Sequence, residues 1–124
     1  MLRCVLTVLL AVLLATPALA QRNFPQHSLR GELMILQPPE ALLNGRPVRL
    51  APGARIRGLD NMLQMSGALV DQKMVVHYTL DYAGLMLDVW VLTPAELANK
   101  PWPSTEAQGK AWVFDPVGQA WSKP

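Results

Sequence analysis

The chain has 124 residues, eleven Lys and Arg against nine Asp and Glu, two His and a single Cys. That length builds one domain and no more, and one cysteine excludes a disulfide framework. The net charge is small, +2, but unevenly spread: residues 21–59 hold six Arg and two Glu, while residues 60–124 hold four Lys and seven acids.

Residues 1–20 read as a signal peptide. Arg3 charges the n-region, an apolar run extends from Val5 to Ala15, Thr16-Pro17 ends it, and Ala18-Leu19-Ala20 places small residues where a signal peptidase reads. A membrane anchor needs roughly 20 predominantly apolar residues, and Pro17 interrupts this stretch. The expectation is cleavage near Ala20-Gln21, a bacterial periplasmic or secreted product and no transmembrane segment after processing. Cys4 precedes the apolar run, so a lipid anchor at the cleavage point is not expected. Its removal leaves no thiol nucleophile or thiolate metal ligand.

Residues 21–28 form a polar, extended leader. Leu29, Gly31, Leu33 and Ile35 alternate with Arg30, Glu32 and Met34, the period of a half-buried strand, until Gln37-Pro38-Pro39-Glu40 ends it. Leu42-Leu43, Asn44-Gly45 and Arg46–Leu50 are the best hairpin signal, since Asn-Gly readily takes the positive φ of a two-residue turn. Pro47 predicts that this hairpin is short or lies at a sheet edge. Ala51-Pro52-Gly53 reads as another turn, and residues 54–58 as a third strand with Arg55 and Arg57 facing water. Met62–Met65 is a short strand candidate. Met74 to Tyr82 is the strongest strand, with Met74, Val76, Tyr78, Leu80 and Tyr82 on the core side and Val75, His77, Thr79 and Asp81 on the solvent side. Ala83-Gly84 turns the chain into a returning strand, Leu85 to Leu92, with Leu85, Leu87, Val89 and Val91 opposite Met86, Asp88 and Trp90.

Thr93-Pro94-Ala95-Glu96 is a capping box with proline at the first helical position, and Pro101 and Pro103 limit that helix to one or two turns. Residues 101–124 carry Trp102, Trp112 and Trp121. They predict a Pro/Trp-rich tail or a small hairpin with facing aromatics, Trp112–Phe114 against Gln119–Trp121.

Short strands, tight turns and one brief helix after the last long strand predict a mainly all-β fold, a small antiparallel barrel over residues 29–100. Residues 29–92 resemble the OB-type modules of exported bacterial proteins, through strand order and the Leu69–Val75 entry to the long hairpin. The resemblance implies a fold and no particular function.

Chemistry is sparse. His77, Thr79 and Asp81 share a strand face, but i and i+2 positions lie about 7 Å apart, nothing activates the hydroxyl, and no Gly-x-Ser-x-Gly elbow or phosphate-cradling glycine loop occurs. No enzyme and no cofactor are expected. Met62, Met65, Met74 and His77 raise Cu(I) binding, with Met62 and Met65 as the ligand pair. Against it, positions 74 and 77 of a strand point to opposite faces, and Met74 suits core filling. Nucleic acid is an unexpected ligand for an exported protein. What remains is a non-catalytic binding or accessory module. Arg46, Arg49, Arg55 and Arg57 are the candidate anion-binding face, with intramolecular pairing as the competing reading. Trp112 and Trp121 are the candidate docking aromatics, with core packing as theirs. The expected partner is an envelope protein or an anionic envelope component.

Overall fold

Alternation of apolar and polar residues builds most of the strands. In the computed structural model, which describes residues 22–124, they are β1 (Leu29–Ile35), β2 (Glu40–Leu43), β3 (Arg46–Arg57), β4 (Leu63–Gln64), β5 (Lys73–Leu80), β6 (Met86–Val91), β7 (Val113–Asp115) and β8 (Ala120–Ser122). The signal segment expected over residues 1–20 lies outside the described residues. A 3₁₀ turn (Ser66–Leu69) and two short helices, α1 (Pro94–Ala98) and α2 (Glu106–Ala111), complete the elements.

Five strands close on themselves. β1 pairs antiparallel with β2 and β5, β5 with β6, and β2 with β3, while β3 and β6 run parallel and shut the ring. The result is the small all-β, OB-like barrel expected from the strand pattern, with β4 added beside the end of β3. One residue parity fills its interior in β1, β3 and β5. A bulge in β6 instead brings both Met86 and Val89 inward, against the alternation expected there. Tyr82, expected on the core side, lies past the end of β5 and is exposed. Leu33, Ile35, Val76, Met86 and Val89 are fully enclosed, joined by Leu29, Leu50, Ile56 and Tyr78, and Met74 packs partly buried against them.

Turn chemistry fixes the register. Asn44 and Gly45 take φ of 54° and 79° and connect β2 to β3 through two residues, with Leu43 opposite Arg46. The Asn44 side-chain oxygen also accepts from the Glu32 N–H at 2.9 Å, tying the turn to β1. Pro47 falls in the stretch of β3 that pairs with β2 alone, where its missing N–H costs no ladder bond on the other side.

Two features depart from the sequence reading. Ala51-Pro52-Gly53 is no chain reversal: β3 runs unbroken through it, with Gly53 at φ 76°. Between Leu50 and Arg55 the strand advances five positions while its partner β6 advances two, from Met86 to Asp88. This bulge bends β3 so that its first half serves β2 and its second half serves β6 and β4. The second departure is α2. The segment after Pro103 holds a helix before the hairpin, capped by Thr105, whose hydroxyl accepts from the Gln108 N–H at 3.2 Å. The expected hairpin follows, with Phe114 directly opposite Trp121.

The C-terminal segment and the leader then cover the outside of β5 and β6. Phe24, Leu92, Trp102 and Trp121 form a second buried cluster, with Val75, Trp90, Leu97, Trp112 and Phe114 against it. The molecule therefore has two apolar layers, one inside the barrel and one on its back.

Candidate functional site

The outer face of the barrel carries one continuous register row. Arg30 of β1 stands opposite His77 of β5, His77 opposite Trp90 of β6, and Trp90 opposite Arg57 of β3. Four adjacent strands thus present cation, imidazole, indole and cation side by side. Their fates differ because the cover reaches only part of the row.

At the covered end, His77 is 1% exposed, not on a solvated face as the alternation suggested. Period two identifies the face turned away from the barrel interior; it cannot show that a distant segment returns to cover it. The ring stacks on Trp102 (centroids 4.1 Å apart, 25° between planes) and meets the edge of Phe24 at 4.4 Å. Nε2 accepts from Arg30 Nε at 3.1 Å, which assigns the ring proton to Nδ1; Nδ1 has no partner among the described residues. Burial, then the charges of Arg30 and Arg22, hold the imidazole far below its ordinary value of 6.5, at about 3. Thr79 is buried beside it and accepts from the Asp88 N–H at 3.2 Å. Asp81 instead holds the β5–β6 turn, accepting from the Ala83 and Leu85 N–H groups.

Arg22 closes this end. Its guanidinium donates to both Glu96 carboxylate oxygens at 2.6 and 2.9 Å, and to the carbonyls of Gly58 and Val91. Glu96 is in place because the capping box forms as the sequence predicts: Glu96 Oε1 accepts from the Thr93 N–H, and the Thr93 hydroxyl from the Glu96 N–H. Burial acts to raise the Glu96 carboxyl, but hydrogen bonds from Arg22 and Thr93 and the Arg22 charge hold it below its ordinary 4.5. Two residues on, Gln119 Oε1 accepts from the Phe24 N–H at 2.8 Å.

A cleft of about 940 Å³ opens beside this clip, lined by Arg22, His77, Glu96, Asn61, Asn99 and Gln119 among others. A second, of about 420 Å³, adjoins it through Arg22 and Asn61 and lies over the uncovered end of the row; His27, Arg55, Arg57, Asp88 and Trp90 line it. Here the charge is unbalanced. Arg57 reaches Asp88 only at 3.5 Å and lies 5.8 Å over the Trp90 ring, and Arg55 is exposed on the same side of β3.

The other residues singled out by sequence fall elsewhere. Arg46 and Arg49 are exposed at the opposite end of β3, where Arg49 pairs with Glu40 at 3.1 Å. The four arginines are one strand but two sites, because the bulge separates them. Trp121, 4% exposed, packs on Phe114 (4.7 Å) and Trp102 (6.0 Å), so its ring belongs to the second core and is not a docking surface. Trp112 is half-buried under Lys123, 5.3 Å from its ring. Met62 and Met65 are 65% and 81% exposed and line neither cleft. They bracket β4 on extended backbone, where a separation of three positions turns side chains to opposite faces.

Sequence reasoning missed Arg22, Phe24, Arg30 and Gln119. The one available signal was a lone Phe24 in an otherwise polar leader. Comparison with protein-family models, with curated proteins and with solved structures finds no match to this chain.

Proposed function

We propose that this chain is an exported, non-catalytic binding module that holds an anionic component of the cell envelope on the outer face of β3 and β6. The carrying observation is the second cleft, where Arg55, Arg57 and His27 face a single carboxylate, Asp88, beside the Trp90 ring. A phosphate or carboxylate there gains charge-assisted hydrogen bonds from guanidinium groups, and an attached sugar or glycerol gains an indole surface. Export rests on the signal pattern of residues 1–20.

The three polar groups that share a face of the long hairpin strand, His77, Thr79 and Asp81, support a binding role. His77 accepts from Arg30, Thr79 from the Asp88 backbone, and Asp81 from its own turn, so all three are engaged in holding the fold. The larger cleft likewise borders groups already committed to the Arg22–Glu96 clip.

The test is a ¹⁵N NMR titration of the processed chain with glycerol phosphate and, separately, with galacturonate. Expected are shifts confined to the Arg55, Arg57 and Trp90 side chains, weakened by salt and abolished in an Arg55→Ser/Arg57→Ser variant. Absence of any response at millimolar ligand, or a response that the variant retains, would refute the assignment.

A further inference from the structure

The connection between β3 and the 3₁₀ turn carries an apolar surface that the anion site does not use. Leu59, Met62, Leu63 and Met65 are 59–81% exposed, four large apolar side chains within seven residues. From Gly58 to Val70 the only charged residue is Asp60. Scattered exposed apolar residues need no explanation, whereas a contiguous group marks a contact.

The segment is firmly rooted. Ile56 is buried before it, and Leu69 and Val70 pack against the barrel core after it. Its turn is satisfied internally: the Gly58 N–H donates to the Met62 carbonyl, the Asn61 N–H to the Gly58 carbonyl, and the Met62 N–H to the Asp60 carboxylate. Two short pairings, Ile56 with Gln64 and Arg57 with Leu63, hold β4 to the end of β3.

Two properties select the occupant. Successive residues of an extended segment point to opposite sides; here Leu63 and Met65 stand exposed on one side and Met62 on the other, so no single flat partner surface covers all three. A medium that surrounds the finger does. Charge supplies the second property, because Leu63 is the cross-strand neighbour of Arg57, with Arg55 two residues further on the same face. Apolar tips with arginines immediately behind them match the depth profile of an anionic membrane interface.

We propose that residues 59–65 form a finger that enters the surface of an anionic lipid bilayer and brings Arg55 and Arg57 to headgroup level. This rests on the anion-binding reading and names its source as a lipid phosphate.

The experiment is co-sedimentation of the processed chain with vesicles of phosphatidylcholine alone and of phosphatidylcholine with phosphatidylglycerol, alongside the glycerol phosphate titration. The protein should bind only the anionic vesicles. A Leu63→Ser/Met65→Ser variant, altered at exposed positions, should bind them roughly tenfold more weakly while its response to soluble glycerol phosphate stays unchanged. A Leu63→Trp variant should give fluorescence quenched by bromine on lipid acyl chains. Failure to bind anionic vesicles, or binding unaffected by Leu63→Ser/Met65→Ser, overturns the finger even if glycerol phosphate still binds. Vesicle binding lost with the finger but retained in Arg55→Ser/Arg57→Ser would keep the finger and overturn the headgroup contact.

Discussion

Enclosing His77 commits its imidazole to the neutral form, and that commitment has a pH signature. The folded value is about 3 against an ordinary 6.5, so between those limits the unfolded chain takes up a proton that the folded chain refuses. Its contribution is therefore complete above about pH 6.5 and declines as pH falls toward 3, by on the order of 4–5 kcal/mol over the whole interval. Urea unfolding at pH 7.5, 5.5 and 4 should show that decline, and His77→Gln should flatten it. Glu96 acts lower on the scale. Its depressed carboxyl stabilises the fold above about pH 4.5 and loses that effect as the group protonates below it. Glu96→Ala leaves the Arg22 guanidinium, on a side chain only 12% exposed, without its counter-charge. Denaturant unfolding at pH 7 should register a loss of about 3 kcal/mol. Neither residue announces this in sequence. A histidine in an alternating strand and a glutamate in a capping box each have an ordinary local explanation, and their added roles come from the leader and from residues after 100.

Local elements followed their local signals wherever the determinants lie within a few residues. The capping box at Thr93 and the Asn44-Gly45 turn both formed, because a hydroxyl at the N-cap and a tolerance for positive φ act within one turn of chain. Thr93→Ala should cost about 1 kcal/mol, and Gly45→Ala, at φ 79°, about 1–2 kcal/mol; thermal unfolding followed by circular dichroism measures both. The helix α2 carries the same kind of signal, Thr105 with Gln108 three residues on, hidden by the prolines and tryptophans around it. The bulge at Pro52-Gly53 could not be told from a turn by composition, since proline followed by glycine serves both. What decided it is remote: β6 runs alongside Arg55–Arg57 and holds them in the sheet.

On the scale of the molecule, two apolar layers share one wall, the β5–β6 pair, whose inner residues fill the barrel and whose outer residues meet the cover. Alternation located the first layer through β1 and from Met74 to Leu80 of β5, but missed Met86, which the bulge in β6 turns inward in place of Leu87. It was silent on the second, which is assembled from Phe24 and residues more than fifty positions later in the chain. Leu33→Ala, inside the barrel, should lose about 3–4 kcal/mol without altering the pH profile. Trp102→Ala should lose a comparable amount and also flatten that profile, because the indole stacked on His77 is gone; denaturant melts at two pH values separate the two. Closure of the ring by the parallel β3–β6 pair has a further consequence. Each barrel strand has a neighbour on both sides over part of its length, so among the named strands the open edges are short: two-residue β4, the three-residue strands β7 and β8, and the Arg46–Arg49 stretch of β3, where Pro47 lacks an N–H. Another chain therefore has almost no backbone to extend, either as a recruited strand or as an amyloid template. Recognition on this scaffold must pass through side chains standing off a sealed wall, and exchanging those side chains can change what is bound while the wall stays as it is.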